Sequence, residues 1–267
     1  MTEFMYDIHS GLIAVVLFIS MALAIEAGFR LGLRAQPSET DASKAHINAI
    51  QSSILGILAL LLGFTFSLSL QRFDSRSDAM VNESNAMGTA YLRAQLLPPA
   101  LRGEVQAQLR QYVDLRVQAS HISVVDRQAR AKLVASIGQA QKTLWAYARQ
   151  AADLDTNTVR TGLFIQALND LIDSFGKHDA VLNRHVPEVV LLLLYGTFLM
   201  AGAIVGFSSG VAGHRPSLVS YIMVALIVVL VFIIIDLDRP RRGLIEVSNQ
   251  SLLDLQTYIA GDQAGLH

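Results

Sequence analysis

Four stretches of this chain contain no Asp, Glu, Lys or Arg: residues 8–25, 45–71, 189–213 and 216–235. A helix crossing a bilayer core needs about 20 consecutive, mostly apolar residues. Each of the four meets or approaches that length, so the chain is expected to cross a membrane several times. Residues 72–188, between the second and third stretches, are long and charged and cannot lie in lipid. The pattern predicts two membrane helices, a soluble insert and two more membrane helices.

Bulk properties narrow the classes further. Charged residues make up 16% of the chain, well under the roughly 25% of a soluble domain. The net charge of −1 points to no nucleic-acid partner. The chain has no cysteine, which excludes disulfides, thiolate metal sites and cysteine nucleophiles. The first residues, Met1 to Asp7, are acidic and lack the basic start and small-residue cleavage site of a signal peptide. The first apolar stretch is therefore expected to remain as a membrane helix.

The fold class expected is all-α, a multi-pass membrane protein with four transmembrane helices and a helical soluble insert. Residues 1–71 hold membrane helices one and two, 72–186 the insert, 187–237 helices three and four, and 238–267 a juxtamembrane tail. Helix one is expected from about Gly11 to Leu33 and stops at Gln36-Pro37-Ser38, because proline cannot continue a helix. Helix two starts near Asp41 or Ser43, either a possible cap. Nothing stops it before Pro98, so one rod through Leu97 is expected.

Within the insert, Leu101, Val105, Leu109 and Tyr112 recur at helical spacing. So do Leu133, Ile137, Ala140, Leu144 and Tyr147, and again Phe164, Leu168, Leu171, Phe175 and Leu182. Ser123 to Asp126 resembles a capping box, and Thr156 or Asn157 is a cap for the following helix. The tail from Leu244 to Tyr258 is weakly amphipathic and either lies at the interface or packs on the insert. Arginines near the membrane ends are more numerous on the insert side (Arg72, Arg76, Arg184, Arg239, Arg241, Arg242) than on the other (Arg30, Arg34, Arg215, with Lys44). That excess predicts a cytoplasmic insert and termini.

Several groups are candidates for function. Ser20, Ala24, Gly28 and Gly32 form a small-residue stripe on helix one, and Gly202, Gly206 and Gly210 another on helix three. Both read as close helix packing. Glu26 precedes Arg30 by four residues, the favourable order for an ion pair. It lies near the hydrocarbon edge, where a charge is costly and often functional. An interfacial pair and a functional role stay equally open there. Helix two carries Ser52, Gly56, Ala59, Gly63 and Ser67 on one face. Small and hydroxyl side chains suit a pore lining, and Phe64 or Phe66 could form a hydrophobic constriction beside them. Helix packing is the plainer alternative.

In the insert, Asn82, Glu83 and Asn85 offer oxygens for a cation. A hydrogen bond to a neighbouring helix is the stronger reading, because hard-cation sites usually take more oxygens. His178 and His185, seven apart, could share a face, but no closely spaced histidine pair marks a metal site. No phosphate-binding glycine loop and no serine nucleophile elbow appears. No enzyme and no cofactor is expected.

Three segments carry a family resemblance: Leu62-Gly-Phe-Thr-Phe-Ser67, Asn82-Glu-Ser-Asn-Ala-Met-Gly-Thr-Ala-Tyr-Leu-Arg93, and Asp236-Leu-Asp-Arg-Pro-Arg-Arg-Gly-Leu-Ile245. With them the whole chain resembles the bacterial, bestrophin-like membrane family, whose function is unknown. The juxtamembrane residues of interest are Asp236, Asp238, Arg239, Arg241 and Arg242. The resemblance implies a channel architecture, since bestrophins are homopentameric ion channels with four membrane helices and a helical cytosolic domain. It also implies a bacterial inner membrane, with the lipid bilayer, inorganic ions and further copies of the chain as partners. Two departures stand out: helix two lacks the proline-punctuated aromatic neck, and there is no acidic calcium clasp. The function expected is an oligomeric ion channel lined by helix two. The alternative is a non-conducting scaffold or signalling protein whose insert binds a partner. A transporter fits less well, with no broken helix or mid-membrane ion pair.

Overall fold

A computed structural model describes residues 10–36, 40–122, 127–155, 158–184, 186–239 and 244–264. Among these residues all regular structure is helical. In chain order the helices are α1 (Ser10–Ala35), α2 (Asp41–Ala94), α3 (Pro99–His121), α4 (Arg127–Leu154), α5 (Thr158–Leu182), α6 (Glu188–Val211), α7 (Leu218–Asp238) and α8 (Gln250–Ala264). Four of them, α1, α2, α6 and α7, are long and apolar enough to cross a membrane. The Pro37-Ser38 stop, the Ser123–Asp126 capping box, the Thr156 and Asn157 caps, His185, and Pro240, Arg241 and Arg242 lie outside the described residues.

Local chemistry explains the helix ends. Thr40, rather than Asp41 or Ser43, caps α2: its Oγ1 accepts from the Ser43 backbone N–H at 3.3 Å. The hydroxyl of the residue before the first turn is the one placed to reach the third free N–H. The helix ends at Ala94, three residues short of the expected Leu97. Gln95, Leu96 and Leu97 instead bond back by three residues, to Leu92, Arg93 and Ala94. Residues just before a proline are pushed out of helical geometry, and Pro98-Pro99 opens α3. At the end of α6, Gly213 has φ +78°. Its N–H donates to Gly210 O, and His214 N–H donates to Ser209 O. This pair of bonds closes the helix at a left-handed residue, a conformation glycine adopts at little cost.

The chain divides into two compact units. The first joins residues 1–73 and 185–245, and its apolar core includes Leu17, Met21, Leu58, Leu62, Leu194, Phe198, Val228 and Val231. Its tightest contact is between α1 and α6. A Cβ added at Gly206 would lie 2.0 Å from Ile25 O, and one at Gly210 would lie 2.3 Å from Phe29 O. Reciprocally, a Cβ at Gly28 would meet Ala203 O at 2.0 Å and one at Gly32 would meet Phe207 O at 2.2 Å. Small residues let two backbones approach in this way. Thus α6 makes its close approach to α1, across most of the sequence, rather than to its neighbour α7.

The second unit joins residues 74–184 and 246–267. It buries Leu101, Val105, Leu109 and Tyr112 of α3, Ile137, Ala140 and Leu144 of α4, and Phe164, Leu168 and Leu171 of α5. Helix α8 belongs to this unit, because Leu252 and Ile259, two turns apart on one face, are fully buried in the same core. Gln256 Nε2 adds a 2.7 Å bond to Asp114, and Tyr91 Oη donates to Asp262 at 3.0 Å.

Candidate functional site

The row Ser52, Gly56, Ala59, Gly63 and Ser67 on α2 is exposed along its whole length. No atom comes within 4 Å of a Cβ built at Gly56 or Gly63. These glycines therefore do not serve packing within the subunit, unlike those of α1 and α6. The buried side of the same segment is anchored by Leu58, Leu62, Thr65 and Ser69. Ser52 and Ser53 donate their hydroxyl protons to the carbonyls of Asn48 and Ala49, both at 3.0 Å. Their oxygens keep lone pairs to offer outward.

A second exposed row, Ile57, Leu60, Phe64 and Leu68, runs beside the first. Phe64 is 63% exposed, whereas Phe66 is half-buried against the membrane-unit core. Of the two rings considered for a constriction, Phe64 is the one that leaves the subunit.

The charged candidates resolve into three separate arrangements. In the first, Arg30 Nε donates to Glu26 Oε1 at 2.8 Å. Arg215, from the α6–α7 connection, lies 3.6 Å from the other Glu26 oxygen, and its guanidinium sits 5.2 Å above the Phe29 ring. Sequence spacing alone could not supply Arg215.

The second arrangement is in the second unit. The charge-free run of α2 ends at Gln71, and Arg72, Asp74, Arg76 and Asp78 follow. Beyond them Glu83 is 1% exposed. Its carboxylate accepts two bonds from Arg116 of α3, at 2.5 Å from Nε and 2.8 Å from Nη2. His178 of α5 hydrogen-bonds to the same carboxylate through Nδ1. Burial alone would raise the Glu83 pKa, but the hydrogen bonds and charges of His178 and Arg116 outweigh it and hold the carboxyl below its ordinary value. An ionised carboxylate only accepts, so Nδ1 of His178 carries the bonded proton. The Arg116 guanidinium also lies 4.9 Å over the Phe175 ring. Asn82 and Asn85 point outward, away from Glu83. The three do not converge on one point, and both carboxylate oxygens are engaged by Arg116. Among the described residues no cluster of three His, Asp or Glu could hold a metal ion.

The third arrangement closes the end of α7. Asp236 Oδ2 accepts from the backbone N–H groups of Leu244 (2.7 Å) and Ile245 (3.0 Å). Asp238 accepts from the Val186 N–H with both oxygens, at 3.0 and 3.2 Å. Arg239 is buried. Asp236 Oδ2 and the Asp238 carboxylate thus accept from backbone donors at the entry to α6 and the exit from α7, which fits a brace rather than a ligand site.

Together these features define a multi-pass, all-helical membrane protein that presents an uncovered small-residue row on its longest helix. The chain belongs to the bestrophin-like family: the sequence signature of the bestrophin-like domain matches residues 16–252. The fold is similar to crystal structures of a bacterial bestrophin homolog from Klebsiella pneumoniae, determined with single mutations. One is 15% identical over 90% of this chain and 99% of that one, with a TM-score of 0.56. Another is 14% identical over 92% and 97%, with a TM-score of 0.54. No curated protein matches the chain.

Proposed function

We propose that the protein is an oligomeric ion channel of a bacterial inner membrane, with the pore lined by α2. The observation that carries this reading is the exposed row Ser52, Gly56, Ala59, Gly63 and Ser67, which touches nothing within the subunit at its glycines. Lipid favours large apolar side chains on a surface that faces it. A row of small and hydroxyl residues suits a water-filled axis between subunits, with Phe64 at its margin as a hydrophobic gate. Family membership agrees with that reading. In this arrangement the insert faces the cytoplasm. Because the chain has no native cysteine, a cysteine at Ser136 should resist an impermeant thiol reagent in intact cells and one at His214 should react; the opposite pattern would invert the topology.

The deciding experiment is reconstitution in planar bilayers under asymmetric salt, where the reversal potential reports ion polarity. Gly63→Leu should reduce the current by narrowing the axis, and Phe64→Ala should raise it or relax selectivity. Absence of current in the wild type and both variants, over a range of pH, calcium and voltage, would favour the non-conducting scaffold.

A further inference from the structure

We infer that Glu26, Arg30 and Arg215 form a binding site for the phosphate headgroup of an anionic phospholipid, with the outer face of α1 seating an acyl chain. The inference does not depend on conduction.

Depth is the first support. The charge-free part of α1 is residues 10–25, 16 residues or about 24 Å of helix at 1.5 Å per residue. That approaches the roughly 30 Å hydrocarbon thickness, which puts Glu26 near the edge of the apolar layer and Arg30 one turn beyond. An independent count agrees. Arg215 immediately precedes the charge-free run 216–235, which leads into α7, and so also belongs at an apolar boundary. The 3.6 Å contact between Arg215 and Glu26 joins the two markers at one level.

Charge and geometry are the second. One carboxylate is shared by two guanidiniums, so the trio carries a net charge of +1 from Arg30 and Arg215 against Glu26. The arginine side chains are 71% and 69% exposed, leaving donors turned outward. Guanidinium donors match phosphate oxygens in a fixed fork, and the Phe29 ring beneath Arg215 restricts its orientation. Arg34, exposed one further turn along α1, extends the positive field.

The third is the surface below. Val16, Ile19, Leu23, Glu26 and Arg30 follow one another at steps of three and four and so share one helix face. Val16, Ile19 and Leu23 are 49%, 51% and 65% exposed. That face lies opposite the glycines of α1 that meet α6. An apolar row crowned by net positive charge at headgroup level has the layout of a phospholipid, chain below and phosphate above.

The test is native mass spectrometry of the detergent-purified protein with dioleoyl phosphatidylglycerol or dioleoyl phosphatidylcholine, which share chains and differ in net charge. One unbalanced positive charge near a membrane surface corresponds to about a fivefold preference for the anionic lipid. Arg30→Gln with Arg215→Gln should abolish the preference, and the two lysine replacements together should restore part of it. If the double variant does not fold, Arg215→Gln alone decides, since it leaves the trio neutral and should bring the ratio to about one. Equal retention of both lipids by the wild type, or an unchanged preference in the variants, overturns the site. So does displacement of the lipid by millimolar inorganic phosphate, which would identify a chain-independent anion site. Failure of the assembled protein to retain either lipid overturns it as well.

Discussion

At the residue scale the most demanding group is Glu83. Taking a carboxylate out of water is tolerated only when it is paired and hydrogen-bonded, and Arg116 and His178 supply both. Because the folded pKa of Glu83 lies below its unfolded value, near 4.3, this carboxylate's share of stability is fully present above pH 4.3. It is lost as the pH falls through the folded value. Thermal stability should therefore fall as the pH drops below about 4.3, and Glu83→Gln should flatten that dependence. At neutral pH, Arg116→Met leaves a buried carboxylate short of its main partner and should cost about 3–5 kcal/mol. A pH profile unchanged by Glu83→Gln would show that another group governs the acid transition. The sequence marks Glu83 as polar chemistry on a long helix, but its partners lie on helices far along the chain. Nothing in local spacing couples residue 83 to residues 116 and 178. Asn82 and Asn85 looked like companions only because they are neighbours in sequence, and the turn of the helix sends them the other way.

At the element scale, the helices were legible wherever apolar spacing or a proline governed them. The runs on α3, α4 and α5 became buried faces because each repeats at the helical period over two or more turns. What spacing cannot reveal is which stripe meets which. The same small residues on α1, α2 and α6 gave three similar patterns, yet α1 and α6 interlock while the α2 row stays uncovered. A paired substitution separates the two cases. Gly206→Ala drives a Cβ to within 2.0 Å of Ile25 O, a backbone atom that can yield only if the helices part. It should lower stability by about 1–3 kcal/mol, the usual cost of overpacking. Gly56→Ala meets nothing and gains helix propensity, so stability should stay level or rise by up to about 1 kcal/mol. Both are read from melting of the purified protein in detergent. Equal behaviour of the two variants would mean that the α1–α6 contact is looser than these distances describe.

At the scale of the whole molecule, four helices long and apolar enough to cross a membrane were written in the charge distribution, because lipid forbids charge far more strictly than a soluble core does. Assembly is not written there. A subunit whose longest membrane helix exposes a small, partly polar row beside a bulky apolar one cannot enclose an axis alone. Cyclic symmetry lets the first row face water while the second packs on a neighbour. We therefore expect a closed homo-oligomer, and the absence of cysteine in this chain makes the arrangement directly readable. A cysteine at Gly63, brought near its symmetry mates around a narrow axis, should form disulfide-linked dimers on mild oxidation in membranes. One at Leu192, which is exposed on α6, should not. Native mass in nanodiscs should show a single multiple of the subunit, unchanged by either cysteine. A strict monomer, or cross-linking at Leu192 in place of Gly63, would remove α2 from the axis and with it the basis for conduction through that row.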